Sequence, residues 1–278
     1  MKIHEALKYI QSKLQKTIGI YAIAQSEEIL EFFLKCSRTD LYIKSDKPIP
    51  PDIIPEIDTI VERRLNGEPL QYILGKAFFY SRDFIITPEV LIPRPDTEIL
   101  VEQVFKFEKG RNKYFIDIGT GSGIIASILT DYNPDWKGIA VDISYKSLLV
   151  ARQNIKNHVY LLCCNMLTPL KEQYRFDFIV SNPPYISADE LETLDREVKD
   201  FEPHRALFGG TDGLDFYRLL AERAKNFLKP NGAIYCEIGY NQETDVVRLF
   251  SNNNWKEIRC IKDLGGNSRV IRALTGDQ

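Results

Sequence analysis

An asparagine, two prolines and a tyrosine stand together at Asn182-Pro183-Pro184-Tyr185, directly after the apolar run "FDFIVS". The Asn182 side-chain carbonyl and the Pro183 backbone carbonyl are two neutral hydrogen-bond acceptors. Each proline fixes its own φ and pushes the preceding residue out of the helical region, so the two acceptors are held rigidly. Such a pair suits a particular nucleophile. A planar amino group conjugated to a carbonyl or a ring attacks poorly, because its lone pair is delocalised. Acceptors on both of its N–H bonds would hold it and favour the geometry that frees the lone pair, in a site organised before reaction begins. Tyr185 offers a face on which the flat group can stack. By itself the segment could also be a proline-rich strand exit without chemistry, the less favoured reading.

A second cluster sharpens the choice. "FIDIGTGSGII" places Gly119, Gly121 and Gly123, with Thr120 and Ser122 between them, after a strand and at the head of a helix. Glycine lets the backbone turn sharply and approach a ligand. Asp142 closes the next strand about twenty residues later, where a carboxylate accepts from ribose hydroxyls. A dinucleotide fold asks for G-x-G-x-x-G, but here the third glycine comes one position early and Ile124 stands where the last should be, which weakens that reading. S-adenosylmethionine carries no phosphate. It needs a close backbone, an acid for its ribose, and acidic or polar groups near its amino group, which Asp117 would supply. A glycine cluster alone could be a tight turn that binds nothing. Joined to Asp142 and the Asn182 segment, it points to methyl transfer onto an amino group, driven by a sulfonium that brings its own positive charge.

The elements that must position these residues can also be read. Ile3, Ala6, Leu7, Ile10 and Leu14 recur at helical spacing. Ser26, with Glu27 and Glu28 behind it, reads as the start of a second helix. Ile53 to Leu65 predict a third, ended by Gly67. Residues 72–90 turn aromatic and β-branched, with turn chemistry at Ser81 to Asp83, and predict a short hairpin or extended connector. "IPRPDTE" opens a helix near Pro95 or Asp96. Strands and helices then alternate to a terminal hairpin, "WKEIRCI" and "SRVIRAL", as in a doubly wound α/β sheet. The order puts "FDFIVS" beside "YFIDI", with Asn182 at the carboxyl end of its strand, where α/β sheets bind ligands. Three regions follow: helical residues 1–72, a hairpin linker over 73–94, and an α/β domain over 95–278.

Composition narrows the class. The 278 residues carry a net charge of -3, which argues against a strong basic field for gripping nucleic acid. The first residues mix polar with apolar side chains, unlike a signal peptide, and no apolar run nears the roughly 18 residues of a membrane span. A cytoplasmic protein is expected. The cysteines, Cys36, Cys163, Cys164, Cys236 and Cys260, form no C-x-x-C pair, and the three histidines His4, His158 and His204 lie far apart. Neither a disulfide framework nor a metal site is expected.

Asp117-x-Gly119-x-Gly121-x-Gly123, Asp142 and Asn182-Pro183-Pro184-Tyr185 resemble the class I S-adenosylmethionine-dependent amino-methyltransferases. "GEPLQYILG", "LIPRPDTE", "EPHRALFGGTDGLDFYR" and "DLGGNSRV" are similar to segments of the PrmC (HemK) family, and the likeness covers nearly the whole chain. It implies a Rossmann-like, mostly parallel seven-stranded sheet with a small N-terminal helical domain and a β-hairpin connector. Members methylate N5 of the glutamine in the Gly-Gly-Gln loop of class I peptide chain release factors. By this resemblance residues 119–123 and Asp142 bind S-adenosylmethionine, and Asn165 and Met166 meet its adenine where the family usually has an Asp. Asn182, Pro183, Pro184 and Tyr185 hold the glutamine amide, with Asn182 also beside the cofactor. Asn182, Pro183 and Tyr185 are the expected catalytic set. Arg94, Asp96 and Glu98 either shape the substrate mouth or cap a helix, and Glu202, Arg205 and Asp212 read as loop-ordering ion pairs and turns. The helical domain would dock the release factor, and a monomer is expected. The alternatives are methylation of a ribosomal-protein glutamine, a nucleic-acid base amino-methyltransferase, which would flip its base into the same pocket, a scaffold without turnover and, more distantly, a nicotinamide oxidoreductase. A sister family that modifies a ribosomal protein tends to lack R-P-D-T-E.

Overall fold

A computed structural model describes residues 1–156, 158–168 and 175–276. The chain divides into two compact units, Met1–Gly75 and Lys76–Gln278. The first is helical: α1 (Ile3–Ile18), α2 (Ala22–Leu34), α3 (Arg38–Ile43), α4 (Ile54–Leu65) and α5 (Leu70–Leu74). Its core gathers Ile3, Ala6, Ile10 and Leu14 from α1 with Ile29 and Leu30 of α2 and Ile57 and Val61 of α4. The i, i+3, i+4 spacing of these residues makes each helix amphipathic, and the stripes meet.

Two details correct the sequence reading here. Helix α2 starts at Ala22, not at Ser26. Ser26 lies inside it, buried, with its hydroxyl donating to the Ile23 carbonyl, so it bonds back along the helix instead of capping it. Glu27 is buried too and accepts from Arg38 at 2.8 Å. Residues 72–74, expected to begin a short hairpin or extended connector, instead complete α5, which Gly75 closes in the left-handed region.

The second unit opens with an antiparallel hairpin, β1 (Lys76–Phe79) and β2 (Arg82–Ile85). Tyr80 and Ser81 both take positive φ, the two-residue geometry that matches strand twist. The turn therefore falls one residue ahead of the expected 81–83. Then come α6 (Thr97–Phe107), β3 (Tyr114–Ile118), α7 (Ile124–Tyr132), β4 (Lys137–Asp142), α8 (Tyr145–Asn154), β5 (Val159–Cys163) and β6 (Phe176–Ser181). After α9 (Ala188–Thr193), α10 (Arg196–Phe201) and α11 (Asp215–Arg223) follow β7 (Leu228–Glu237), α12 (Glu243–Asn252), β8 (Lys256–Lys262) and β9 (Ser268–Leu274).

Strands β3 to β9 form a seven-stranded sheet in the order β5-β4-β3-β6-β7-β9-β8, parallel except for β9, which runs antiparallel to β7 and β8. Strand alternation sorts its side chains onto two covered faces. Phe115, Ala140, Phe178 and Tyr235 pack under α6 and α7, while Ile116, Val141, Ile179 and Ile234 pack under α11 and α12. Both faces being buried explains the near-continuous apolar runs of the inner strands. Chain order reverses between β3 and β6, and the crevice outside their carboxyl ends is where such sheets bind ligands.

Candidate active site

The loop after β3 is a tight coil of internal hydrogen bonds. Gly119 and Thr120 N–H donate to the Val141 carbonyl, each at 2.9 Å, and Gly123 N–H donates to Thr120 at 2.8 Å. Gly121 N–H donates to Asp142 Oδ2 at 2.9 Å. Asp142 Oδ1 accepts from Ser144 N–H at 2.8 Å. The Asp142 carboxylate thus ties the loop to the end of β4. Burial raises its pKa, against the pull of the two backbone N–H groups. The N–H groups of Gly119, Thr120, Gly121 and Gly123 are thus engaged within the fold and not turned to a phosphate, which agrees with the glycine spacing in disfavouring a dinucleotide.

A cavity of about 510 Å3 opens at this end of the sheet, lined by Gly119, Thr120, Gly121, Ser122, Asp142, Asn165, Met166, Asn182, Pro183 and Pro184 among others. That volume is ordinary for a small-molecule site. Asp117, Gly123 and Tyr185 are not part of this lining. Asp117 is fully buried beneath the loop, where its Oδ2 accepts from the Thr120 hydroxyl at 2.6 Å and the Ala126 backbone N–H also favours its charged form. Burial pushes it up to about 7, with the Thr120 hydroxyl pulling the other way. Gly123 packs on α8: a Cβ there would come within 2.9 Å of the Ala151 Cβ. Tyr185 packs against the core on the α11 face, with its hydroxyl 3.5 Å from Glu237 Oε1. Burial raises its pKa, and the neighbouring Glu237 adds to this.

Asn182 stands one residue beyond β6. Its Nδ2 donates to the Thr97 hydroxyl at 3.1 Å. The N–H2 end is thereby engaged with α6, and the carbonyl end of the amide has no hydrogen bond among the described residues. Thr97, buried at the start of α6 and part of the lining, is a candidate site residue that the sequence does not single out; "PDTE" shows only a helix start. The backbone beyond Asn182 is clamped from one side by Gln242, whose Nε2 donates to the Tyr185 carbonyl at 2.9 Å and to the Gly213 carbonyl at 3.2 Å. Gly209 also comes so close that a Cβ would lie 2.7 Å from the Pro184 carbonyl oxygen.

The mouth carries charge. Arg94 pairs with the buried Glu202 at 2.6 Å, and Glu89 accepts from Lys146 at 2.7 Å and Arg205 at 3.1 Å. Asp212 pairs with Arg218. These are the ordering ion pairs expected of Glu202, Arg205 and Asp212. Asp96 pairs with Arg269 at 3.0 Å, and Glu98 accepts from the Tyr80 N–H at 2.8 Å; of Arg94, Asp96 and Glu98, only Arg94 lines the cavity.

The residues present fit S-adenosylmethionine. Gly119 and Gly121, at φ of 72° and 54°, face open space, with nothing within 4 Å of an added Cβ. A side chain at either would project into open space at the cavity wall and would narrow it. Asp142 retains acceptor capacity beyond its two N–H partners, and Val141, Ile143, Cys164 and Met166 supply an apolar wall beside Asn165.

Sheet, glycine loop and Asn182 segment together define an amino-methyltransferase. Residues 95–199 match the methyltransferase small domain and residues 5–75 the PrmC N-terminal domain. The chain is 40% identical to the release factor glutamine methyltransferase of Geobacter sulfurreducens over 91% of its own length and 89% of that protein. It is 36% identical to the protein of the same name from Thermodesulfovibrio yellowstonii over 98% and 97% of the two chains. It belongs to the release factor glutamine methyltransferase family. A solved methyltransferase from Pyrococcus furiosus shares the fold, at a TM-score of 0.54 and 19% identity over 71% of this chain and 91% of that one.

Proposed function

We propose that this enzyme methylates N5 of the glutamine in the Gly-Gly-Gln loop of class I peptide chain release factors, using S-adenosylmethionine. The observation that carries the reading is the fixed amide of Asn182: its N–H2 is bound to Thr97, and its carbonyl is left as an acceptor at the wall of the cavity. When bound, the cofactor supplies a methyl group on a positively charged sulfur. Asp142 binds ribose hydroxyls, Gly119 and Gly121 let the cofactor lie against the backbone, and Asn165 and Met166 meet the adenine.

The glutamine side-chain N–H2 donates one hydrogen bond to Asn182 Oδ1 and one to the Pro183 carbonyl. Both acceptors gain strength as the nitrogen becomes nucleophilic and its hydrogens more acidic, so they favour the transition state over the ground state. Proline geometry and the clamps of Gln242 and Gly209 hold them without reorganisation. Pro184 shapes the wall beside them. Tyr185 braces the segment from behind, and stacking on the amide would require its ring to turn toward the cavity. The helical unit Met1–Gly75 docks the release factor.

The test is a methyl-transfer assay with labelled S-adenosylmethionine. It offers a class I release factor, ribosomal proteins and nucleic acid side by side, with mass mapping of the product. The expected product is one methyl on the Gly-Gly-Gln glutamine. Label confined to a ribosomal protein or to nucleic acid would overturn the choice of substrate.

A further inference from the structure

Glu237 is the last residue of β7, beside the end of β6 in the parallel register that pairs Ser181 with Cys236. It is 2% exposed and does not line the cavity. One carboxyl oxygen faces the Tyr185 hydroxyl at 3.5 Å, and the other, Oε2, has no hydrogen-bond partner among the described residues. A buried carboxyl oxygen left unpaired is costly, and it calls for an explanation. Its neighbours give one. Burial pushes Glu237 up to about 7, while the Thr97 hydroxyl and, more weakly, the Asn182 amide favour its charged form. Thr97 and Asn182 are the pair whose hydrogen bond fixes the Asn182 amide.

We propose that Glu237 is a positioning residue that sets the polarity of the Asn182 amide. This rests on the reading of Asn182 as acceptor for the substrate amide. An ionised carboxylate only accepts. Behind Asn182 and Thr97 it attracts the N–H2 and O–H ends of both side chains. A turned amide would point Oδ1 at that carboxylate and offer N–H donors to the substrate's own N–H2, where no bond can form. Glu237 therefore acts through Asn182, without touching substrate. The other charged or titratable groups around it are Asp96 at the start of α6, Arg269 on β9, Tyr185, and Tyr217 of α11, whose hydroxyl donates to the Glu237 carbonyl at 2.8 Å. Arg269 pairs with Asp96 and with Asp263, so among the described residues Glu237 has no ion pair of its own.

The test compares the full-length wild type with Glu237→Gln and Thr97→Val, at saturating cofactor, on whichever acceptor the wild type labels. Glutamine keeps the shape but adds a donor that competes for the inward positions. We expect kcat to fall about tenfold or more in both variants, with cofactor Kd and Tm close to wild type. Wild-type kcat should also fall as pH drops through about 7, because protonated Glu237 becomes a donor, and Glu237→Gln should lose that limb. Asp117, also near 7, lies under the cofactor loop, so its titration is read in cofactor affinity. A Glu237→Gln kcat within about twofold of wild type, with its pH limb intact, would overturn the proposal. Parallel losses of kcat, cofactor affinity and Tm would reduce Glu237 to a structural residue and overturn it as well. Wild-type label on nucleic acid alone would overturn the substrate reading while the variants still decide Glu237; no label on any acceptor would overturn both.

Discussion

Asn182 has two ends of opposite hydrogen-bonding sense, and a reacting amino group can use only one of them. Its removal should therefore separate chemistry from binding. We expect Asn182→Ala to lower kcat on the order of a hundredfold while leaving cofactor Kd within a few-fold, as for an acceptor that matters mainly in the transition state. Asp142→Ala should do the reverse and weaken cofactor binding in a titration, because it removes the proposed ribose acceptor and frees the Gly121 and Ser144 N–H groups together. Burial raises the Asp117 carboxyl to about 7 in the folded protein, so the folded state holds this proton after the unfolded chain has released it. Stability then falls as pH rises from about 4 to about 7, at roughly 1.4 kcal/mol for each pKa unit of difference. Denaturant melts across that window should show the loss, and Asp117→Asn should flatten it. A curve of unchanged slope in the variant would remove Asp117 as its source.

At the scale of elements, the segment after β6 is held by what approaches it. Gly209 occupies the space a methyl group would need beside the Pro184 carbonyl. Gly209→Ala should displace the Asn182 segment and cut kcat about tenfold, with cofactor binding retained, since the glycine loop after β3 is untouched. Equal kcat in the variant would mean the segment tolerates the shift. Much of this level was legible: the alternation of strands and helices, the pairing of β3 with β6, and the place of Asn182 at a strand end all follow from apolar periodicity and chain order. The helix boundaries were less so. Ser26 has the type and the acidic followers of an N-cap, yet Ala22, Ile29 and Leu30 share one buried face, and packing extends α2 past the local signal. Helices α3 and α5 are short, and six or five residues carry too little periodicity to announce themselves.

At the scale of the molecule, the two units have separate cores. The apolar cluster of Met1–Gly75 draws only on residues up to Leu74, and those of Lys76–Gln278 only on residues from Phe79 onward. A fragment spanning 76–278 should fold and bind S-adenosylmethionine with near-native affinity, and should methylate a release factor poorly if the helical unit docks it. Calorimetric titration of the fragment checks the first expectation, and the methyl-transfer assay checks the second. Full activity of the fragment would relieve the helical unit of a docking role.

By itself the sequence determined the sheet, the glycine loop and the paired acceptors, because these depend on residue types within a few positions of one another and on a period of two or of 3.6. Only the tertiary structure decided which way Asn182 points. Thr97 and Glu237 lie 85 and 52 residues from Asn182 and Tyr185 in the chain. Gln242 clamps the same segment from 57 residues beyond Tyr185. Hydrogen bonds at such separations leave no periodic mark on a sequence, since each partner needs only to be polar and to arrive at the right place once the sheet has closed.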